Sequence, residues 1–266
     1  NTAETAFYGL LKGADDYLQK IKVERILSWG NQFDEEKLTE MISRKIRFEK
    51  IAIKDVKLRT FITEDSSRNE MVQHVYDITY GTVRKDIDTL VVIDDSIVRG
   101  TTLRESIIRM LARLSPKKII VVSSAPQIRY PDCYGIDMSK MGDFIAFKAA
   151  IALLHERKQE HILDDLLQHC KDLQRNNQLH TENVVRKVYK QFTLEEISAK
   201  IAQLITPKEI NIPVDVIYQT IETLHLACPT NTGDWYFTGN YPTPGGNKVC
   251  NKAFMNYMEG KNVRGY

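Results

Sequence analysis

The chain has 266 residues, a formal net charge of +2 at pH 7 and an apolar content of 42%. That length supplies a sizeable core for one large domain or two small ones, and the balanced charge excludes a nucleic-acid-binding stripe, a polybasic membrane patch and an unstructured chain. No apolar run approaches the roughly 18 residues of a membrane span, and the four cysteines are scattered, so we expect a cytoplasmic protein with no membrane or nucleic-acid partner.

The first part of the chain shows two helical patterns followed by two short strand patterns. An apolar stripe predicts a helix over 2–20, and Asp34 precedes a second helix with two glutamates in its first turn. Alternating residues predict strands at 48–53 and 56–62. The polar stretch 66–78 is typical of a mobile loop or a helix.

The middle of the chain carries a strand, a helix and a second strand. The continuous apolar runs at 90–93 and 119–122 predict short strands that are buried on both faces. Between them, apolar spacing predicts a helix over 103–114, which Pro116 terminates. This succession is typical of a βαβ unit with a parallel sheet and a right-handed crossover. Ligands of such sheets bind beyond the carboxyl ends of the strands, where residues 94–102 would lie.

The remainder of the chain changes character twice. Residues 125–141 form a predicted loop, and 144–205 contain charged helical patterns that we expect to pack on the α/β body. From Cys228 onward, the rise in Gly, Asn, Pro and Thr predicts a loop-rich C-terminal tail. The predicted fold is therefore α/β, a parallel sheet flanked by helices, with a helical insertion and that tail.

An acidic pair, Asp94 and Asp95, stands between the apolar run and a loop of small residues. Such a pair often caps a helix and faces solvent. However, two adjacent carboxylates repel each other, and that cost is offset when a cation or a polyol lies between them. Gly100 lets backbone approach a phosphate, and Thr101 and Thr102 add hydroxyl groups. We therefore favour a site for a phosphorylated sugar.

Several motifs resemble those of one family in the same order along the chain. VVIDDSIVRGTT at 91–102 resembles the phosphoribosyl pyrophosphate (PRPP) motif of type I phosphoribosyltransferases, in the version found in the amidophosphoribosyltransferases. That family's other motifs are matched by RTFI at 59–62, SAPQIRYP at 124–131, YGIDM at 134–138 and FTGNYPT at 237–243. The resemblance covers residues 1–143 and 193–266, and the co-occurrence is more specific than any single motif.

The resemblance implies a function and a set of site residues. It implies a pentosyltransferase that makes 5-phosphoribosylamine from PRPP and ammonia, the first step of purine synthesis, with Mg²⁺. Asp94 and Asp95 would contact the ribose hydroxyls and the metal, and Thr2 matches a metal-site position, although a helix cap explains it equally well. The resemblance assigns no catalytic residue. The 5′-phosphate would be bound by Ser96, Ile97, Val98, Arg99, Gly100, Thr101 and Thr102.

The chain also departs from the family pattern. Residues 71–77 replace a loop whose Arg and Lys hold pyrophosphate in the family, and they contain neither. This favours an alternative, a PRPP- or nucleotide-binding regulator that keeps the pocket without turnover; transfer to a free base is a weaker third hypothesis. Gly233 and Tyr236 stand where one branch has iron–sulfur cysteines, and Cys133 is one position off, so we expect no cluster.

The resemblance also predicts the organisation of the chain. We expect a phosphoribosyltransferase core at 1–147 without its first strand, a helical insertion at 148–192, and C-terminal helices and a tail at 193–266. The family's N-terminal glutaminase domain has no counterpart in this sequence, so we expect a fragment of a longer protein. The family further implies a homo-oligomer.

Overall fold

The fold is known from a computed structural model that describes residues 2–30, 34–49, 52–54, 76–78, 81–134, 138–230 and 233–265. The strand predicted at 56–62 lies outside these ranges, as does most of the 71–77 loop. Within them, no helix is both long and apolar enough to cross a bilayer.

The N-terminal part begins with two helices. Helix α1 (Thr2–Ser28) confirms the first predicted helix and continues beyond residue 20. Helix α2 (Glu35–Ser43) begins where predicted, because the Asp34 carboxylate accepts hydrogen bonds from the amides of Glu36 and Lys37.

Two short strands follow, β1 (Ala52–Lys54) and β2 (Tyr76–Ile78), and they pair antiparallel. Strand β1 overlaps only the end of the strand predicted at 48–53. Strand β2 corrects the prediction of a loop or helix at the end of 66–78, where Tyr76 and Ile78 are residue types common in strands.

The central element is a parallel sheet in the order β3-β4-β5. Strand β3 (Thr89–Asp94) leads through a loop into a π-helical turn (Leu103–Ile107) and helix α3 (Ile108–Ala112), and the chain returns as β4 (Lys118–Ser123). This confirms the predicted βαβ unit. Strand β5 (Val214–Tyr218), which the sequence analysis did not predict, pairs parallel with β4.

Only one face of this sheet is well buried. Ile119 and Val121 of the central strand are fully buried, whereas Val91 is 55% exposed and Ile217 is 52% exposed on the opposite face. The prediction that both faces of the 90–93 strand are covered is therefore wrong. Strands β3 and β5 are the outer strands of the described sheet, where fewer neighbours cover the second face.

The helices between β4 and β5 supply much of the core. Buried residues of 148–192, including Leu154 and Cys170, belong to the same apolar cluster as those of the sheet strands, so these helices pack on the α/β body as expected. The helix Leu194–Ile205 begins with a reciprocal capping box between Thr193 and Glu196. The elements are a 3₁₀ turn (Met141–Asp143), α4 (Ile145–Glu156), α5 (His161–Arg175), α6 (Arg186–Tyr189) and α7 (Leu194–Ile205).

The C-terminal part is more helical than expected. It contains α8 (Ile221–Ala227), α9 (Trp235–Thr238) and α10 (Pro244–Met258), and the last of these corrects the prediction of a loop-rich tail. Pro244 occupies the first turn of α10, where its missing amide costs nothing. The buried Cys250 and Phe254 then hold the helix on the core, although its first turn is rich in glycine.

Candidate functional site

The acidic pair lies at the carboxyl end of β3, where the parallel topology predicted it. Asp94 is the last residue of the strand, and its carbonyl oxygen accepts a hydrogen bond from the amide of Ser124, at 2.9 Å. The carbonyl of Asp95 accepts one from the Ser124 hydroxyl, at 3.1 Å. The backbone of both acidic residues is thus fixed to the residue that follows β4.

The two carboxyl groups of this pair are close together and half-buried. Burial raises the pKa of Asp94 to about 6, and a hydrogen bond with Asp95 together with its negative charge adds to the rise. The Asp95 carboxylate accepts a hydrogen bond from the Ser96 amide, at 2.9 Å. No side chain caps the helical turn that begins at Leu103. The pair therefore does not act as a helix cap, which was the alternative that the sequence allowed.

The loop after the pair is held on the core, and several of its amides lack acceptors in the described part of the chain. Ile97 is buried, and the carbonyl of Val98 accepts a hydrogen bond from the amide of Ile145, at 2.7 Å. None of the amides of residues 97–100 donates a hydrogen bond within the described part of the chain. Helical backbone begins at Thr101. The amides of the first turn of this helix also lack intrahelical acceptors. This arrangement suits an anion.

Gly100 has a packing role in addition to the one its sequence context predicts. Its φ is +70°, in the left-handed region, and a Cβ placed there would lie 2.8 Å from Cγ2 of Ile205 at the end of α7. We expected the missing side chain to let backbone approach a phosphate. The structure shows that it also allows the turn and lets α7 pack against the loop, and the phosphate role stays a prediction.

The polar side chains of the loop face outward. The guanidinium of Arg99 is exposed and pairs with Asp143 across 3.0 Å, and Thr101 and Thr102 are exposed at the start of the helix. The predicted phosphate-binding residues therefore form one continuous loop. The buried Ile97 holds the loop on the core, while Arg99, Thr101 and Thr102 are exposed.

Comparison with known proteins finds similarity over part of this sequence. No family model matches the chain. Over 63 residues it is 52% identical to the amidophosphoribosyltransferase of Pasteurella multocida, a match that covers 24% of this chain and 12% of that protein. The amidophosphoribosyltransferase of Schizosaccharomyces pombe is 38% identical over 87 residues, which cover 31% of this chain and 16% of the relative. Over these stretches the chain is similar to the amidophosphoribosyltransferases.

Each of these matches spans less than a fifth of the relative. Among solved structures, glutamine PRPP amidotransferase from Bacillus subtilis, complexed with ADP and GMP, matches with a TM-score of 0.42 and 24% identity. That match covers 78% of this chain and 34% of the other.

Two further motifs of the amidophosphoribosyltransferase resemblance, 124–131 and 237–243, lie against each other. The hydroxyl of Tyr241 donates a hydrogen bond to the carbonyl of Pro131, at 2.7 Å. The Arg129 amide donates one to the carbonyl of Tyr236, at 2.8 Å. These motifs therefore hold the C-terminal part on the core. RTFI at 59–62 and residues 135–137 lie outside the described ranges.

The amidophosphoribosyltransferase resemblance also suggests metal ligands. Two carboxylates suit Mg²⁺, which is commonly held by one or two protein carboxylates together with phosphate oxygens of a ligand. The described residues contain no group of three or more His, Cys, Asp or Glu able to hold a metal by themselves. Thr2 is the first residue of α1, and the structure does not describe its side chain, so its metal role stays a prediction.

One residue near the pair was not predicted from the sequence. Tyr218 ends β5, and the strand register places it in one row with Asp94 and Ser123 on the same face of the sheet. The β-branched residues that follow Pro213 are the signal that could have predicted this strand.

Proposed function

We propose that this chain is the phosphoribosyltransferase part of an amidophosphoribosyltransferase. In the full-length protein it would make 5-phosphoribosylamine from PRPP and ammonia, the latter released from glutamine, as the first step of purine synthesis. One observation carries the proposal: a half-buried carboxylate pair directly precedes a loop whose amides lack acceptors in the described part of the chain. The relatives that match the chain bear the name of this activity.

The two halves of the site match the two ends of a phosphoribosyl group. The loop amides of 97–100 and the first turn of the following helix offer hydrogen-bond donors to a 5′-phosphate dianion. Asp94 and Asp95 offer only acceptors when ionised, which suits ribose hydroxyls. A phosphate placed near the carboxylates would be repelled, so this charge pattern supports one orientation of the sugar.

The same carboxylates would hold Mg²⁺. When bound, the ion neutralises the negative charge that develops on the leaving pyrophosphate. The raised pKa of Asp94 implies that ion binding displaces a proton from the pair at slightly acidic pH. Asp94 would thus be mostly ionised only above about pH 6 or when the cation is present.

The proposed reaction requires the protein mainly to bind and orient the substrate. The nitrogen of ammonia forms a bond to C1 of the ribose while the bond between C1 and the pyrophosphate oxygen breaks, and pyrophosphate leaves with the electron pair of that bond. The ammonium group formed on C1 then loses one proton to solvent to give the amine. The residues described above contribute by orienting the sugar and its phosphate, so that the faces of C1 are presented in a fixed geometry.

Pyrophosphate release tests the proposal. The full-length protein is mixed with PRPP, Mg²⁺ and an ammonium salt, and release is followed over time. We expect release by the wild type and none by Asp94→Asn combined with Asp95→Asn. The matched control is Asp164→Asn combined with Asp165→Asn, an adjacent pair of exposed carboxylates on α5, which should release pyrophosphate normally. PRPP binding without release would refute the enzyme and favour the regulatory alternative.

A further inference from the structure

Tyr218 lies at the same edge of the sheet as the acidic pair. In the strand register, Asp94 pairs with Ser123 and Ser123 pairs with Tyr218, so the three residues form one row at the carboxyl ends of β3, β4 and β5. Neighbouring strands lie about 4.8 Å apart, which puts the Cα atoms of Asp94 and Tyr218 roughly 10 Å from each other. Their side chains leave the sheet on the same face and can approach a common ligand.

The hydroxyl of Tyr218 is buried without a hydrogen-bond partner among the described residues. The whole residue is only 6% exposed. Two other tyrosines are paired: the hydroxyl of the buried Tyr189 donates to the carbonyl of Arg129 at 2.9 Å, and that of the half-buried Tyr241 donates to the carbonyl of Pro131. A buried polar group without a partner is costly, so an unpaired hydroxyl beside a candidate site calls for an explanation.

The environment of this hydroxyl keeps it a donor. Burial raises the pKa of Tyr218 well above its ordinary value, and the nearby negative charge of Asp94 raises it further. The phenol therefore keeps its proton at physiological pH. A protonated phenol and an ionised carboxylate at one edge of a sheet offer a donor and an acceptor to the same small molecule.

We propose that Tyr218 is a further ligand-contacting residue of this site, whose hydroxyl donates a hydrogen bond to a ribose hydroxyl oxygen of the bound phosphoribosyl group. A sugar hydroxyl can donate its own hydrogen to the Asp94 carboxylate and accept one from the phenol, which satisfies both side chains. A phosphate cannot do so, because the carboxylate repels it. This inference rests on the proposed function and adds a residue to its sugar-binding half.

The test compares two tyrosine variants that differ in whether their hydroxyl is paired. Tyr218→Phe keeps the ring and removes the unpaired hydroxyl, and Tyr189→Phe removes a paired one. For Tyr218→Phe in the full-length protein, we expect the Kd of PRPP with Mg²⁺ to rise about 3- to 10-fold, the effect of one hydrogen bond. The Kd of inorganic phosphate should stay unchanged, because the loop amides bind it.

Stability gives the second readout. Without ligand, the melting temperature of Tyr218→Phe should equal or exceed that of the wild type, because no hydrogen bond is lost. The melting temperature of Tyr189→Phe should fall, with unchanged PRPP affinity. A Tyr218→Phe protein that binds PRPP as the wild type does would overturn the inference alone, as would one that melts lower. A wild-type protein that does not bind PRPP would overturn the proposed function as well.

Discussion

Replacing Asp94 with asparagine separates the stability cost of the acidic pair from its proposed binding role. Burial and the neighbouring Asp95 raise the pKa of Asp94 from 3.8 to about 6. At about 1.4 kcal/mol per pKa unit, this rise would correspond to about 3 kcal/mol for a fully buried group. Because solvent reaches part of the carboxyl group and screens it, we reduce the expected cost to about 1–2 kcal/mol.

The sign of the pH dependence follows from the direction of the shift. A carboxyl group with a raised pKa in the folded state favours folding below its ordinary pKa of 3.8, and that contribution is lost as the pH rises through about 6. At pH 8 the ligand-free Asp94→Asn variant should therefore be more stable than the wild type by about 1–2 kcal/mol. Near pH 4 the two proteins should differ little. Urea unfolding followed by circular dichroism at both pH values measures this.

Asp88 provides a control, because its pKa is shifted in the opposite direction from that of Asp94. Hydrogen bonds from the side chain and the backbone amide of Arg84 lower the pKa of Asp88 to about 2. Its contribution to stability is present above the ordinary pKa and is lost as the pH falls toward 2, so Asp88→Asn should destabilise the protein at pH 8. If Asp94→Asn destabilises the ligand-free protein at pH 8 in the same way, the reasoning about the acidic pair is refuted.

Two further predictions concern the loop and the ligand. Gly100→Ala should lower the free energy of unfolding by about 2–4 kcal/mol, because a left-handed backbone and a Cβ against the buried Ile205 are both unfavourable; a urea unfolding midpoint equal to that of the wild type would contradict this. The affinity for PRPP with Mg²⁺ should fall as the pH drops below about 6, because protons compete with the cation at Asp94. Calorimetric titrations at pH 5 and pH 8 check this, and equal affinities would contradict it.

The sheet illustrates how far the sequence could predict the fold. The runs at 90–93 and 119–122 are continuous and apolar, and their spacing around a helical pattern sufficed to predict the βαβ unit. The exposure of Val91 could not be predicted, because an apolar run does not reveal whether its strand is central or outermost. Helix α10 was missed because glycines and proline in its first turn obscured the buried side chains that stabilise it, such as Phe254.

For the site as well, the sequence could predict some features and not others. The position of Asp94 and Asp95 at the sheet edge follows from topology alone. The raised pKa of Asp94 does not, because it depends on burial by distant parts of the chain. The contact of Gly100 with Ile205 depends on tertiary packing, and the position of Tyr218 depends on a strand register, so only the folded structure could show either.

Isothermal titration calorimetry of the full-length protein with PRPP tests the central claim most directly. We expect saturable binding that requires Mg²⁺, that is lost when Asp94 and Asp95 are both replaced by asparagine, and that persists when Asp164 and Asp165 are replaced in the same way. Wild-type protein that fails to bind PRPP, or unchanged binding by the Asp94 and Asp95 variant, would contradict it.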